Sequence, residues 1–138
     1  MKAFIANLLL ASLTAVVLLP SCGGGGDDPQ PAEENLVITT TPVLNGQQEA
    51  VAPGPNFPLT VTVTSKMPPQ GVRIEVTARP DGNGTTAFFT ANQTTSNATT
   101  TLSITNTPQL TVSRVTVTVT SLSKPSNTKT GFYLYSRK

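Results

Sequence analysis

The chain offers little that could make or break bonds. Its 138 residues include no histidine, which removes the commonest general base, the Ser-His and Cys-His nucleophile pairs, and the usual imidazole metal ligands. Carboxylates are scarce as well. From residue 35 to 138 only Glu49, Glu75 and Asp81 occur, and their spacing suggests no acid pair facing across a cleft, as glycoside hydrolysis needs. Asp81-Gly82-Asn83-Gly84-Thr85 sets oxygens at alternate positions as a calcium loop does, but no bidentate acid follows. A hairpin turn is the simpler reading. Asn83, Asn92 and Asn97 fit the N-x-Ser/Thr acceptor pattern, which arises by chance in so threonine-rich a chain. These residues predict no enzyme, no cofactor and no metal.

One residue does carry chemistry. Cys22, the chain's single cysteine, closes the sequence Leu19-Pro20-Ser21-Cys22 behind an apolar run from Ala3 to Leu19, with Lys2 as a minimal basic start. That run is near the lower limit for a spanning helix, and no second apolar stretch follows, so residues 1–21 read as a signal peptide. Leu19, Ser21 and Cys22 resemble the bacterial lipobox, while Pro20 departs from its commonest residue at that position. The resemblance implies a diacylglyceryl group on the Cys22 thiol, cleavage before it, and acylation of the new N-terminus. Each buried methylene adds roughly 0.8 kcal/mol, so two or three acyl chains, palmitate among them, hold a protein to a membrane durably.

Residues 22–35 follow as a linker. Four glycines, two prolines and four carboxylates give it nothing to bury. Its r.m.s. reach is about 20 Å, enough to clear the lipid headgroups. The run Cys22-Gly23-Gly24-Gly25-Gly26-Asp27-Asp28 is similar to outer-membrane lipoproteins of the Bacteroidota type, in which acidic residues behind the lipidated cysteine accompany display on the cell surface. The implied address is the outer membrane, at the cell surface or otherwise at its periplasmic face.

Residues 36–138 remain for one domain. From residue 35 onward eight lysines and arginines stand against three carboxylates, a net +5. The basic residues are scattered and lack the clustering and interleaved aromatics of nucleic-acid modules, so no nucleic-acid partner is expected. With Cys22 acylated, no disulfide is available to the domain.

Period-two alternation dominates this region. Leu59, Val61 and Val63 alternate with threonines. Val72, Ile74, Val76 and Ala78 alternate with Arg73, Glu75, Thr77 and Arg79, and Val115, Val117 and Val119 alternate with Arg114, Thr116, Thr118 and Thr120. Each is the pattern of an antiparallel strand wet on one side. Weaker strands are expected at Leu36–Thr41, Thr86–Ala91, Thr99–Thr105 and Thr130–Tyr135. Seven strands in about 100 residues resemble an immunoglobulin-like or fibronectin type III-like domain, which implies an all-β, seven-stranded antiparallel β-sandwich. A small β-barrel is the other way to close such strands. In that sandwich the last strand pairs with the sixth, whose other neighbour is the third. Tyr133 and Tyr135, with Arg73, Glu75, Thr116 and Thr118, are then expected on one exposed sheet surface suited to a sugar or a protein. Phe88 and Phe89 are adjacent, so within one strand one of them must face away from the core. The sequence therefore predicts a non-catalytic module anchored to the membrane by lipid, serving adhesion, scaffolding or an envelope complex through a protein or glycan partner. A carbohydrate-binding lipoprotein using the tyrosine-bearing face is the alternative.

Overall fold

The computed structural model describes residues 32–138. The signal segment, Cys22 and the linker up to residue 31 lie outside the described residues. Glu33–Lys138 form a compact unit of seven strands: β1 (Ile38–Thr41), β2 (Phe57–Val63), β3 (Val72–Pro80), β4 (Phe89–Thr95), β5 (Thr99–Ile104), β6 (Val112–Ser121) and β7 (Thr128–Ser136). They make two antiparallel sheets, β1-β2-β5 and β4-β3-β6-β7. This is an all-β sandwich of the immunoglobulin-like or fibronectin type III kind.

The alternation seen in the sequence fixes which side of each strand is buried. Val72, Ile74, Val76 and Ala78 of β3 face inward beside Val115, Val117 and Val119 of β6, and Leu59, Val61 and Val63 of β2 close over them from the other sheet. Each such side chain contributes about 1.5–3 kcal/mol on full burial. Outside, threonines pair across strands: Thr60 with Thr101, Thr62 with Thr99, Thr118 with Thr130 and Thr120 with Thr128 lie within 3.0–3.4 Å. Such pairs suit a solvated sheet face and add a few tenths of a kcal/mol or more each.

One expectation about β4 needs correction. It spans Phe89–Thr95 instead of Thr86–Ala91, because β3 holds it in register from Ala78↔Phe89 to Val72↔Thr95. Pairing with a nine-residue neighbour outweighs the weak strand preference of Asn92 and Gln93. Phe88 is thereby left ahead of the strand, and both phenylalanines pack partly buried against the core.

The connections set two poles. Leu36, where the chain joins the sandwich, is wholly buried near the β6–β7 turn. Its neighbours include the β2–β3 turn, where Gly71 at φ +82° bonds back to Pro68. A Cβ at Gly71 would lie 2.5 Å from the Thr95 carbonyl, so only glycine fits. The opposite pole holds the β1–β2, β3–β4 and β5–β6 connections together with Arg137 and Lys138.

Candidate functional site

The site begins where β1 stops. Thr41↔Thr60 is its last pair with β2, and Pro42 then cannot donate to the ladder. The chain crosses to the other sheet and runs parallel to β7. Gly46 N–H donates to Phe132 O, Leu134 N–H to Gln47 O, Glu49 N–H to Leu134 O, and Ala52 N–H to Ser136 O, at 2.8–3.2 Å. This 46–52 segment covers the edge of β7, which would otherwise offer unpaired backbone groups.

The pairing of β7 with β6 decides the fate of the tyrosines. Register places Tyr133 opposite Val115 and Tyr135 opposite Ser113, while Phe132 opposes Thr116 and Leu134 opposes Arg114. Tyr133 and Tyr135 therefore point into the core, 1% and 3% exposed. The exposed tyrosine-bearing face expected from the sequence is not present. The outward pair is Phe132 and Leu134, and their side is served by the crossing segment and by Arg114, whose guanidinium carbon stands 4.2 Å from the Phe132 ring centre. Arg73 and Glu75 do lie on the outer face, opposite Thr120 and Thr118, and pair with each other at 3.4 Å. The structure thus separates the two tyrosines from Arg73 and Glu75, on opposite sides of one sheet.

Where β1 has left β2, a notch of about 290 Å³ remains between the start of β2 and the crossing segment. Its walls are Pro42, Pro58, Phe57, Ala50 and Ala52, with Thr41 and Thr60 at one end. Tyr133 and Tyr135 form the floor and Glu49 stands at the side. The rings are fixed by contact: Phe57 meets Tyr135 edge-on with centroids 4.7 Å apart, and Tyr133 and Tyr135 are 6.0 Å apart. Tyr135 Oη is hydrogen-bonded to the buried Thr107 hydroxyl at 2.6 Å, tying β7 to the β5–β6 connection. Gly54, at φ +63°, folds over Phe57; a Cβ there would come within 2.9 Å of that ring.

The electrostatics follow from burial. Desolvation pushes the Tyr133 phenol far above its ordinary value, with Tyr135 and then Glu49 adding to the push. Burial also raises Tyr135, against a smaller opposing effect of the Thr107 hydrogen bond. Both phenols are neutral at physiological pH. A second hollow of about 330 Å³ lies along β1 beside the start of β7, lined by Ile38, Val43, Leu44 and Lys129 among others.

Sequence reasoning counted Glu49 as a carboxylate but gave it no site, and it passed over Phe57. A signal was present: fifteen residues, 42–56, separate the first two strands, with prolines at 42, 53 and 55, and connections of that length usually carry function. Asp81, the first residue of the calcium-like turn, pairs with Arg114 at 2.9 Å. Among the described residues no three His, Cys, Asp or Glu side chains gather as a metal site, and no helix is long and apolar enough to cross a membrane. The described residues form an all-β sandwich without a metal-ligating or acid–base constellation. No protein-family model matches the chain, and no curated protein matches it.

Proposed function

We propose that this protein is a lipid-anchored module of the bacterial cell envelope, held by Cys22 in the outer membrane and presenting its sandwich for adhesion, scaffolding or assembly with a larger envelope complex. The observation that carries the reading is the sequence Leu19-Pro20-Ser21-Cys22 behind an apolar leader and ahead of a glycine- and acid-rich linker. The fold supports it in two ways. The sandwich brings no catalytic groups together, which suits a binding or structural part. The chain also joins the sandwich beside the β6–β7 turn, which leaves the connections of the opposite pole clear of that junction. There the β5–β6 connection carries Leu110, 90% exposed, with Val51 and Val112 also open to solvent nearby.

The test is made in a related host that expresses the full chain. Wild type should incorporate a labelled palmitate analogue, and Cys22→Ala should not. Protease added to intact cells should then remove the wild-type domain. Absence of label on the wild type refutes the anchor. Protection until the outer membrane is broken places the protein on the periplasmic face and favours the envelope-complex role over adhesion.

A further inference from the structure

The notch between β2 and the crossing segment has a charge pattern that the rest of the domain lacks. Glu75 is paired with Arg73, and Asp81 with Arg114. Glu33 accepts from Asn127 Nδ2 at 2.7 Å, and Glu34 accepts from the Lys66 amide at 3.4 Å. Glu49 alone, among the carboxylates of the described residues, has neither an ion-pair partner nor a hydrogen-bond donor among those residues. It belongs to a domain with eight basic residues, and none of them lines the notch.

The remaining lining narrows what could answer that charge. One carboxylate and two threonine hydroxyls are too few for calcium, which takes six to eight oxygens. An anion would meet Glu49 with no cation among the lining residues. An oligosaccharide would find few hydrogen-bonding groups and little room, since the volume is at the lower end of small-molecule sites. A monovalent organic cation meets each condition. Its charge pairs with Glu49, its stem lies against Pro42, Pro58 and Phe57, and aromatic rings attract it electrostatically.

We infer that this notch binds a protonated alkylamine, with the ammonium group at Glu49 and the aliphatic stem along the proline and phenylalanine walls. The amine is either a free small molecule or a lysine side chain presented by a partner protein; the recognising chemistry is the same. With the phenols neutral, Glu49 is the one charge among the lining residues; the Arg137 guanidinium lies outside them, beside Gly54 and Phe57. The inference does not depend on the lipid anchor.

The test is titration of the isotope-labelled full chain with n-butylammonium, with neutral n-butanol, and with Nα-acetyl-lysine methylamide, followed through the backbone amides of Thr41, Glu49, Ala50, Ala52 and Thr60. Butylammonium should give saturable shifts confined to these positions, at least about tenfold tighter than butanol, a difference of about 1.4 kcal/mol. Glu49→Gln should abolish that preference, while Glu49→Asp, which keeps the charge, should retain most of it. Unchanged spectra elsewhere in both variants establish that the fold is intact, as expected of a position whose only bond to the protein is its backbone amide. Equal binding of the lysine derivative points to a protein partner, and its exclusion to a free amine; either supports the inference. No saturable binding of any amine, equal affinity for butanol, or a preference that survives Glu49→Gln overturns it.

Discussion

Asn127 holds the start of the sandwich in place, and its removal is a demanding test of the structure. Its side chain is 6% exposed and makes three hydrogen bonds. Oδ1 accepts from Leu36 N–H at 2.8 Å, and Nδ2 donates to Glu33 Oε1 at 2.7 Å and to Glu34 O at 2.9 Å. Asn127→Ala deletes all three, with unequal consequences. The Glu33 carboxylate and the Glu34 carbonyl can turn to water, so each loss is worth about 0.5–1.5 kcal/mol or less. Leu36 is 0% exposed, and its N–H would be left buried without an acceptor, a cost of about 1–3 kcal/mol. The expected destabilisation is about 3 kcal/mol, a large share of the roughly 5–15 kcal/mol typical of a domain.

Urea unfolding followed by circular dichroism measures this directly. With a slope of about 1–3 kcal/mol per molar, the midpoint should fall by at least about 1 M at unchanged slope. Glu33→Ala should cost under about 1 kcal/mol, because it removes only the outermost of the three bonds. Asn127→Ala, which releases the Glu34 carbonyl, should also expose the peptide bond after Glu34 to a glutamate-specific protease in the otherwise folded protein. A loss below about 1 kcal/mol for Asn127→Ala would refute the reasoning, since it would mean that water replaces the side chain at Leu36.

The two tyrosines and Leu110 give two further tests. Tyr133 and Tyr135 are the only tyrosines in the chain, which has no tryptophan, so tyrosinate absorbance near 295 nm reports on them alone. Their folded values are raised above the unfolded value of about 10, so the stability they contribute is complete below that pH and is lost as the pH climbs toward the folded values. Absorbance should rise only together with loss of the sheet signal, and a separate native titration near pH 10 would contradict their burial. Leu110 sits at φ +55° with its side chain in solvent, so Leu110→Gly should relieve backbone strain at no packing cost and raise stability by about 0.5–1 kcal/mol in urea unfolding. A loss of 1 kcal/mol or more would show that the leucine side chain has a partner on the protein.

The parts of this fold that are legible in the sequence share one property: a single wet face. In β3 and β6 valine and isoleucine alternate with arginine, glutamate and threonine, and each strand declares its buried side. The order β3-β6-β7 is what the immunoglobulin-like resemblance implies, not what alternation shows. β7 gives no such sign. Phe132 and Leu134 alternate with Tyr133 and Tyr135, two apolar pairs, because the core takes one side and the crossing segment approaches the other. A tyrosine is the more polar choice on general grounds, and that preference points to the wrong side here. What reverses it is a connection in irregular structure, whose path no periodicity encodes. The linker side is similar: Glu33 and Glu34 read as hydrated spacer, yet both carboxylates bond to the sandwich.

The same connection explains why a site exists at all. A sandwich whose first strand stayed with β2 along its whole length would have no gap beside Phe57 and Pro58, and β7 would have an open edge. By leaving at Pro42 the chain closes that edge and opens the notch in one step. Residues 46–52 bring Glu49 to the notch by its backbone bond to Leu134, independent of any partner for its side chain. Burial in the core keeps the tyrosines neutral, so they add no second negative charge there. Edge protection is a general need of β-sheets, and it explains the path of the segment. It does not explain an unpaired carboxylate beside an aromatic floor in a basic domain. That residue choice is what the protection of β7 leaves over, and it is the part of the segment that an alkylammonium ion would satisfy.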